Sequence, residues 1–398
     1  MASQKKNMAS EKNPWALCSK RGAFGAQGRA FCRSIKAHGY GCAGTDNYSG
    51  FVWKARGVGL NLRWLKQPAM KHVVIPVSDV RTPAFWLAAE EYVAERWEGD
   101  EELWFTWRVA PCVVIGRNQA LEKEIAVGYC RREGIGIFRR KSGGGAVYAD
   151  LGNIMMSYIA AAGAVGYTFS KYIGLVVLLL QKLGVPAEAS GRNDVVVEGK
   201  KVSGSAFLHL PGRNIAHGTL LYDTDMEHMT GALRPDAVKL KAKGVESVRS
   251  RVGLLKDYID IGIDELEEHL ICGLCRGEEL RLGEEDVKQI EERAEAYSDP
   301  CFLYGTRHAA SLSRQRRIEG VGELRVDLVV TDGVIRDAWL GGDFFCCGKD
   351  AEALVAPLRG AHYSHEGVSE ALAGVLSEGV VMGLKREDFV DLIVGNDE

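Results

Sequence analysis

Acidic residues are nearly missing from the first 69 positions, which carry 12 Lys+Arg against Glu11 and Asp46, a net of +10. The whole 398-residue chain has a formal net charge of −3, so the remainder carries −3 − 10 = −13. So sharp an asymmetry marks residues 1–69 as a different kind of sequence, with no clear helical or strand period. Three readings suit this stretch: a gene start placed too early with Met70 the real one, a basic organellar transit segment, or a functional basic arm. Organised sequence begins abruptly at Met70-Lys-His-Val-Val-Ile-Pro, which favours the first reading and leads us to expect no order before it.

Other absences narrow the class. Apolar runs such as Gly174 to Leu180 fall far short of the ~20 residues that span a bilayer. No continuous apolar core near the first residue suggests a secretory signal. Ten cysteines scattered over so long a chain form no disulfide framework and suit a reducing compartment. The cytoplasm is therefore expected, or the mitochondrion if residues 1–69 are a transit segment. The pair Cys272-Gly-Leu-Cys275 lacks a second pair and a histidine at finger spacing, so these cysteines read as small packing residues. The small net charge gives no reason to expect nucleic acid or an anionic membrane as partner.

What is present is a regular pattern after Met70. Thr82-Pro83 reads as an N-cap followed by proline at N1, opening a helix over Ala84 to Trp97. Leu103 to Trp107, Cys112 to Ile115 and Gly134 to Phe138 read as strands. Ser170 caps an expected helix that runs through Leu183 to Gly184 and Pro186. Val195–Val197 and Lys201–Ser203 flank Glu198-Gly199 as a hairpin, and His217 to Tyr222 reads as a strand. Asp264 to Ala296 is charged and helical. Asp299-Pro300 breaks it, which places a boundary near residue 300. Strands at Leu324 to Val330 and Val334 to Leu340 follow, joined by Asp332-Gly333, then helical stretches near 350–358 and 366–383. Hairpins mixed with helices, without strict βαβ alternation, argue for an α+β fold. The expected organisation is a basic extension over 1–69, a catalytic domain over 70–300 and a small α+β accessory domain over 301–398.

Three stretches carry candidate chemistry. In Arg139-Arg140-Lys141-Ser142-Gly143-Gly144-Gly145 the glycines let a ligand lie against the backbone, and the arginines suit an anionic or carbonyl-bearing ligand. A flexible turn would account for the glycines alone. In Ser190-Gly191-Arg192-Asn193-Asp194, Asn and Asp before a strand can hold a ribose or phosphate network, or simply cap a turn. The hairpin that follows presents Lys201 ahead of the small residues Ser203-Gly204-Ser205-Ala206, which leave space around its ammonium. His217-Gly218-Thr219-Leu220-Leu221 adds a histidine and a glycine on one strand; a lone strand histidine is more often structural than catalytic.

Taken in order, Arg-Arg-x-Ser-Gly-Gly-Gly-Ala-Val-Tyr, Ser-Gly-Arg-Asn-Asp, Lys-x-Ser-Gly-Ser-Ala and His-Gly-Thr-Leu-Leu resemble the lipoate–protein ligase A family. Lys241 to Val252 looks like that family's segment after the active site, and Gly342-Asp343-Phe344-Phe345 resembles the accessory domain of its bidomain members. The resemblance covers about residues 70–398. It implies a mixed-sheet α+β fold of the biotin/lipoate ligase type. It also implies an ATP-dependent reaction: lipoate attacks the α-phosphate of ATP, and an acceptor lysine then takes the lipoyl group from lipoyl-adenylate. On this resemblance Lys201 is the catalytic residue, set against the reacting carbonyl and the α-phosphate. Arg140, Ser142, Gly143, Gly144, Gly145 and Ala146 line the lipoyl side. Asn193, Asp194, Lys201, His217 and Gly218 meet the adenylate. Mg²⁺ accompanies ATP, with Asp194 the one candidate metal ligand. Implied partners are lipoic acid and acceptor proteins, either E2 lipoyl domains of 2-oxoacid dehydrogenases or the glycine-cleavage H protein. A monomer is expected.

Two positions depart from the family pattern: Ala149 stands where His is common, and Ala216 precedes His217 where a second His is frequent. Octanoyltransferases of the same superfamily work without ATP through a cysteine thioester, but no cysteine lies between Cys130 and Cys272. The Gly-Arg-Gly-Arg loop of biotin ligases is absent. A degenerate member that binds lipoate without catalysis is the non-enzymatic alternative, which Ala149 motivates and Lys201 opposes.

Overall fold

The computed structural model describes residues 52–55, 58–61, 70–191, 193–234, 251–275, 277–305, 309–375 and 379–395. The chain divides into two compact units, residues 1–67 and 68–398. In the first, β1 (Val52–Ala55) pairs antiparallel with β2 (Val58–Asn61). The rest of that extension lies outside the described residues, and with it the expectation for residues 1–69.

The second unit is built on an eight-stranded mixed sheet. Its first members are β3 (Lys71–Val74) and, after helix α1 (Pro83–Arg96), β4 (Leu103–Trp107). A separate three-stranded sheet follows, with β5 (Cys112–Ile115) between β6 (Gly136–Arg139) and β7 (Val147–Ala149). The chain re-enters the large sheet through β8 (Asn153–Ala161), then crosses by helix α2 (Val165–Lys182) to β9 (Ala187–Ser190). β10 (Asp194–Val197), β11 (Lys200–Leu210) and β12 (Arg213–Leu221) bring it back to the centre. Helix α3 (Ile263–Cys275) leads to an edge strand, β13 (Glu279–Arg281), and helix α4 (Glu284–Ala294). The strand order is β13-β3-β4-β8-β12-β11-β10-β9. β13 and β4 lie parallel to β3, while all pairings from β4 to β9 are antiparallel.

Burial on both faces explains why the central strands read as nearly continuous apolar runs rather than alternating ones. Successive side chains still alternate between two cores. On β8, Ile154, Met156 and Tyr158 join one core under α2 and α3, whereas Met155 and Ile159 join the other, which contains α1. After a short helix α5 (Pro300–Tyr304), three antiparallel strands form the C-terminal sheet in the order β14-β15-β16. They are β14 (Leu312–Ile318), β15 (Gly322–Thr331) and β16 (Val334–Gly342), packed with helices α6 (His365–Ala371) and α7 (Arg386–Val394) around a third core.

Several expectations need correction. The helix expected to start at Ser170 begins five residues earlier, at Val165, so Ser170 lies inside it. The charged stretch 264–296 is interrupted by β13. Helix α7 was not foreseen, and residues 376–378 of the expected helix over 366–383 lie outside the described residues. Among the described residues, no helix is long and apolar enough to cross a membrane. Cys275 is buried in the core beneath α2, where desolvation pushes its thiol up to about 12; Cys272 is exposed. Among the described residues, no three His, Cys, Asp or Glu groups are placed to hold a metal.

Candidate active site

The β10–β11 hairpin supplies the charged end of the site. Its turn places Glu198 and Gly199 at φ values of 51° and 79°, the left-handed pair of a tight two-residue hairpin. Lys201 then sits at the start of β11, and its Nζ lies 2.7 Å from Asp194 Oδ1. Arg251 donates from Nη2 to the other oxygen, Asp194 Oδ2, at 3.0 Å. One buried carboxylate thus holds two cations side by side. Gly204 makes room for this: a Cβ there would stand 2.6 Å from Lys201 Nζ. Asn193 fastens the hairpin by donating from Nδ2 to Ser205 O, at 2.9 Å. Gly253 N donates to Lys201 O at 2.9 Å, so the chain after the family-like segment docks against the lysine. Residues 241–250 of that segment lie outside the described residues.

The glycine loop is held by the two arginines before it. Arg140 donates to Val114 O, Gly143 O and Gly145 O at 3.0, 2.7 and 2.8 Å. Arg139 donates from Nη1 to Gly116 O, Arg117 O and Gln119 O, and from Nε to Leu303 O. Burial lowers both guanidinium pKa values to about 10. Both side chains engage main-chain carbonyls, so they shape the loop; Arg140 also reaches the cavity wall. The outer side of the loop is closed by the C-terminal region. Gly144 N donates to Phe344 O at 3.1 Å, and a Cβ on Gly143 would stand 2.2 Å from that same oxygen.

Behind the loop runs a buried polar chain. Trp107 Nε1 donates to Ser157 Oγ at 2.8 Å, and Ser157 Oγ donates to Glu90 Oε1 at 2.5 Å. Glu90 Oε2 lies 2.8 Å from His217 Nδ1, and His217 Nε2 lies 2.8 Å from Ser142 Oγ. With Nδ1 protonated toward the carboxylate, Nε2 accepts from the Ser142 hydroxyl. Both ring nitrogens are therefore occupied within the protein. His217 ties β12 to the glycine loop and also lines the cavity that holds Lys201 and Asp194.

A cavity of about 170 Å³ joins these parts. Leu87, Trp107, Val114 and Met155 make one part of its wall apolar, while Asn193, Asp194, Lys201 and Arg251 make another polar. Gly145, Ala146, His217 and Gly218 also line it, whereas Ser142, Gly143 and Gly144 stand behind that lining. Arg317 and Asp343 reach it from the C-terminal region. No cysteine lines it, so the thiolate of a thioester mechanism has no candidate there among the described residues. Ala149 is fully buried opposite Cys112 in the α1 core and does not face the cavity. The departure at this position therefore falls in the packing and leaves the cavity wall unaltered.

Sequence reasoning missed Glu90, Ser157, Arg251, Arg317 and Asp343 as site residues. Glu90-Glu91 carried a signal: two adjacent acids in a helix otherwise apolar on every side, from Pro83 to Ala94 all buried. Buried carboxylates require partners, and here Glu90 meets His217 and Glu91 meets Lys141 and Tyr297. Arg251 and Asp343 lie in the two segments singled out as family-like, though neither was picked as a site residue, while Ser157 and Arg317 come from strands with no local pattern to mark them.

Known proteins resemble this chain over most of its length. The lipoyl protein ligase A/B catalytic domain matches residues 82–275, and the bacterial lipoate protein ligase C-terminus matches residues 308–393. A lipoate-protein ligase of Bacillus subtilis, LplJ, is 34% identical over 325 residues, covering 79% of this chain and 98% of its own. Among solved structures, the bi-partite lipoate protein ligase of Thermoplasma acidophilum, described with its E2 lipoyl domain, superposes with a TM-score of 0.54 at 27% identity. It covers 61% of this chain and 100% of its own. A lipoate-protein ligase A bound with ATP gives 0.52 at 25% identity, over 59% and 99%. The motifs, the fold and the extent of these matches agree: the chain belongs to the lipoate–protein ligase family.

Proposed function

We propose that this protein activates lipoate with ATP and transfers the lipoyl group to a lysine of an acceptor protein. The observation that carries this reading is the division of one cavity into an apolar wall and a wall bearing the Lys201–Asp194–Arg251 cluster. An acyl chain suits the first and a phosphate the second. A carboxylate and a triphosphate repel, and fixed cations must offset that repulsion as the new bond forms. Lys201, held by Asp194, is the catalytic residue in this reading. In the first step a lipoate oxygen bonds to the α-phosphorus and pyrophosphate leaves. In the second, the acceptor amine attacks the carbonyl carbon, loses a proton, and AMP leaves with the C–O bonding pair.

The other assignments follow from the same reading. Arg140, Ser142 and Gly143 to Ala146 form the lipoyl side, and Asn193, Asp194, His217 and Gly218 the adenylate side. Mg²⁺ is expected to ride on the phosphates, because both Asp194 oxygens already engage cations and no acidic cage surrounds them among the described residues. The acceptor is a lipoyl domain, as the E2 domain paired with the archaeal relative suggests. A monomeric cytoplasmic enzyme with a division near residue 300 completes the picture.

The deciding experiment is lipoate-dependent pyrophosphate release by the full chain and by Lys201→Ala. Release by the parent and its loss in a folded variant is the expected result. Equal release by both would remove Lys201 from the mechanism, and none from either would favour a binding protein.

A further inference from the structure

The cavity carries more positive charge than its own carboxylates balance. Among the described residues Lys201, Arg251, Arg140 and Arg317 line it, against Asp194 and Asp343, so the described lining sums to 4 − 2 = +2. Three of the four cations are engaged by close contacts. Lys201 and Arg251 share Asp194, and Arg140 holds three carbonyls. Arg317 differs. It comes from β14 in the C-terminal sheet, and its buried Nη1 makes no hydrogen bond. Its nearest opposite charge is Asp343 Oδ2, at 3.5 Å. The other oxygen of that carboxylate already accepts from Glu323 N at 2.6 Å. A guanidinium donor with an unmet hydrogen bond, on the wall of a cavity of net positive lining, is suited to a planar or tetrahedral oxyanion.

We propose that Arg317 contacts the polyphosphate of the nucleotide and serves the activation half-reaction alone. This inference rests on the adenylating function proposed above. Activation brings a triphosphate into the cavity and releases pyrophosphate, so charge on the outer phosphates peaks in that step. Transfer starts from an adenylate with a single phosphate and releases AMP, which leaves Arg317 nothing of that charge to meet. The C-terminal sheet thereby contributes a substrate-contacting residue as well as a wall.

The test uses the full chain with Arg317→Gln and Arg317→Lys, and separates the two half-reactions. Lipoate-dependent exchange of pyrophosphate into ATP reports activation. Single-turnover transfer from synthetic lipoyl-adenylate to a lipoyl domain reports the second step. Arg317→Gln is expected to lower exchange by about 10²-fold, as for one lost donor to developing charge, and to weaken ATP binding in titration. Transfer should stay within about twofold, and Arg317→Lys should recover part of the exchange because charge is retained while the fork is lost. Arg314→Gln removes a charge from an exposed position of the same strand, outside the cavity lining, so it should preserve exchange. Unchanged exchange in Arg317→Gln overturns the proposal. So does an equal loss in both half-reactions, which makes Arg317 a structural clamp, or a matching loss in Arg314→Gln, which makes the effect one of charge on the strand and not of a contact. If the parent protein transfers from the adenylate but shows no exchange, the activating function itself fails, and the contact assigned to Arg317 fails with it.

Discussion

Lys201 works in a space made by a residue three positions along its own strand. A Cβ on Gly204 would stand 2.6 Å from its ammonium, while the next atom that Cβ would meet outside the lysine, Asp194 Oδ1, would be 3.9 Å from it. Gly204→Ala should therefore displace only the tip of a flexible side chain and leave stability nearly unchanged. The activity should fall by about 10-fold to 10²-fold, since displacing a reacting group by ~1 Å has effects of that size. Thermal unfolding and pyrophosphate release on the same sample would check this; a large fall in midpoint with intact specific activity would contradict it. At this scale the sequence was informative where chemistry is local. Lys201, Asp194 and Asn193 share one hairpin and were found together. The Ser142–His217–Glu90 chain was not, because its members are 75 and 127 positions apart and only sheet pairing and helix docking bring them together.

At the scale of elements, α1 and α4 are joined by one carboxylate. Asp286 accepts from Gly283 N at 2.7 Å, capping the start of α4, and from Tyr92 OH of α1 at 2.5 Å. The Gly283 hydrogen bond first, and the Tyr92 hydroxyl second, hold the Asp286 carboxyl below its usual range. A depressed carboxyl pKa contributes stability that is present above the unfolded value of 3.8 and is lost as pH falls through the folded value. Asp286→Ala should cost about 1 kcal/mol at neutral pH, the usual worth of a cap. The gap from the parent should narrow as urea melts are repeated below pH 3.8; a constant gap would show that the carboxylate charge is not responsible. Elements with sharp borders were legible in the sequence. Leu103–Trp107 and Cys112–Ile115 match their strands residue for residue, because turn residues bound both. β8 was not foreseen, since a strand buried on both faces loses the alternation that marks one. β13, three residues between two charged helices, has too few residues to carry a period.

At the scale of the whole second unit, adjacent phenylalanines enter different cores. Phe344 lies in the C-terminal core, whereas Phe345 lies with the main sheet, its ring 5.7 Å from Phe169 and 5.4 Å from Phe207. Phe345→Ala should remove about 3–5 kcal/mol from the coupling between these parts. Calorimetry should then resolve two unfolding transitions where the parent shows one, and a single transition at the parent's midpoint would refute this role. The α+β class and the family motifs were legible from the sequence, but the position of residues 342–345 over the glycine loop was not. That contact joins segments 200 residues apart and leaves no trace in either one.

The contact between Gly143 and Phe344 has a bearing on how such a chain diverges. A side chain at 143 would collide with a main-chain oxygen, which no change of residue type at 344 can remove. Drift in the loop is therefore possible only together with a shift of the C-terminal backbone. A gene exchange that paired this loop with the C-terminal half of a distant relative would inherit a mismatch at that seam. A C-terminal half from elsewhere would fit this loop only if its main chain kept clear of the same point.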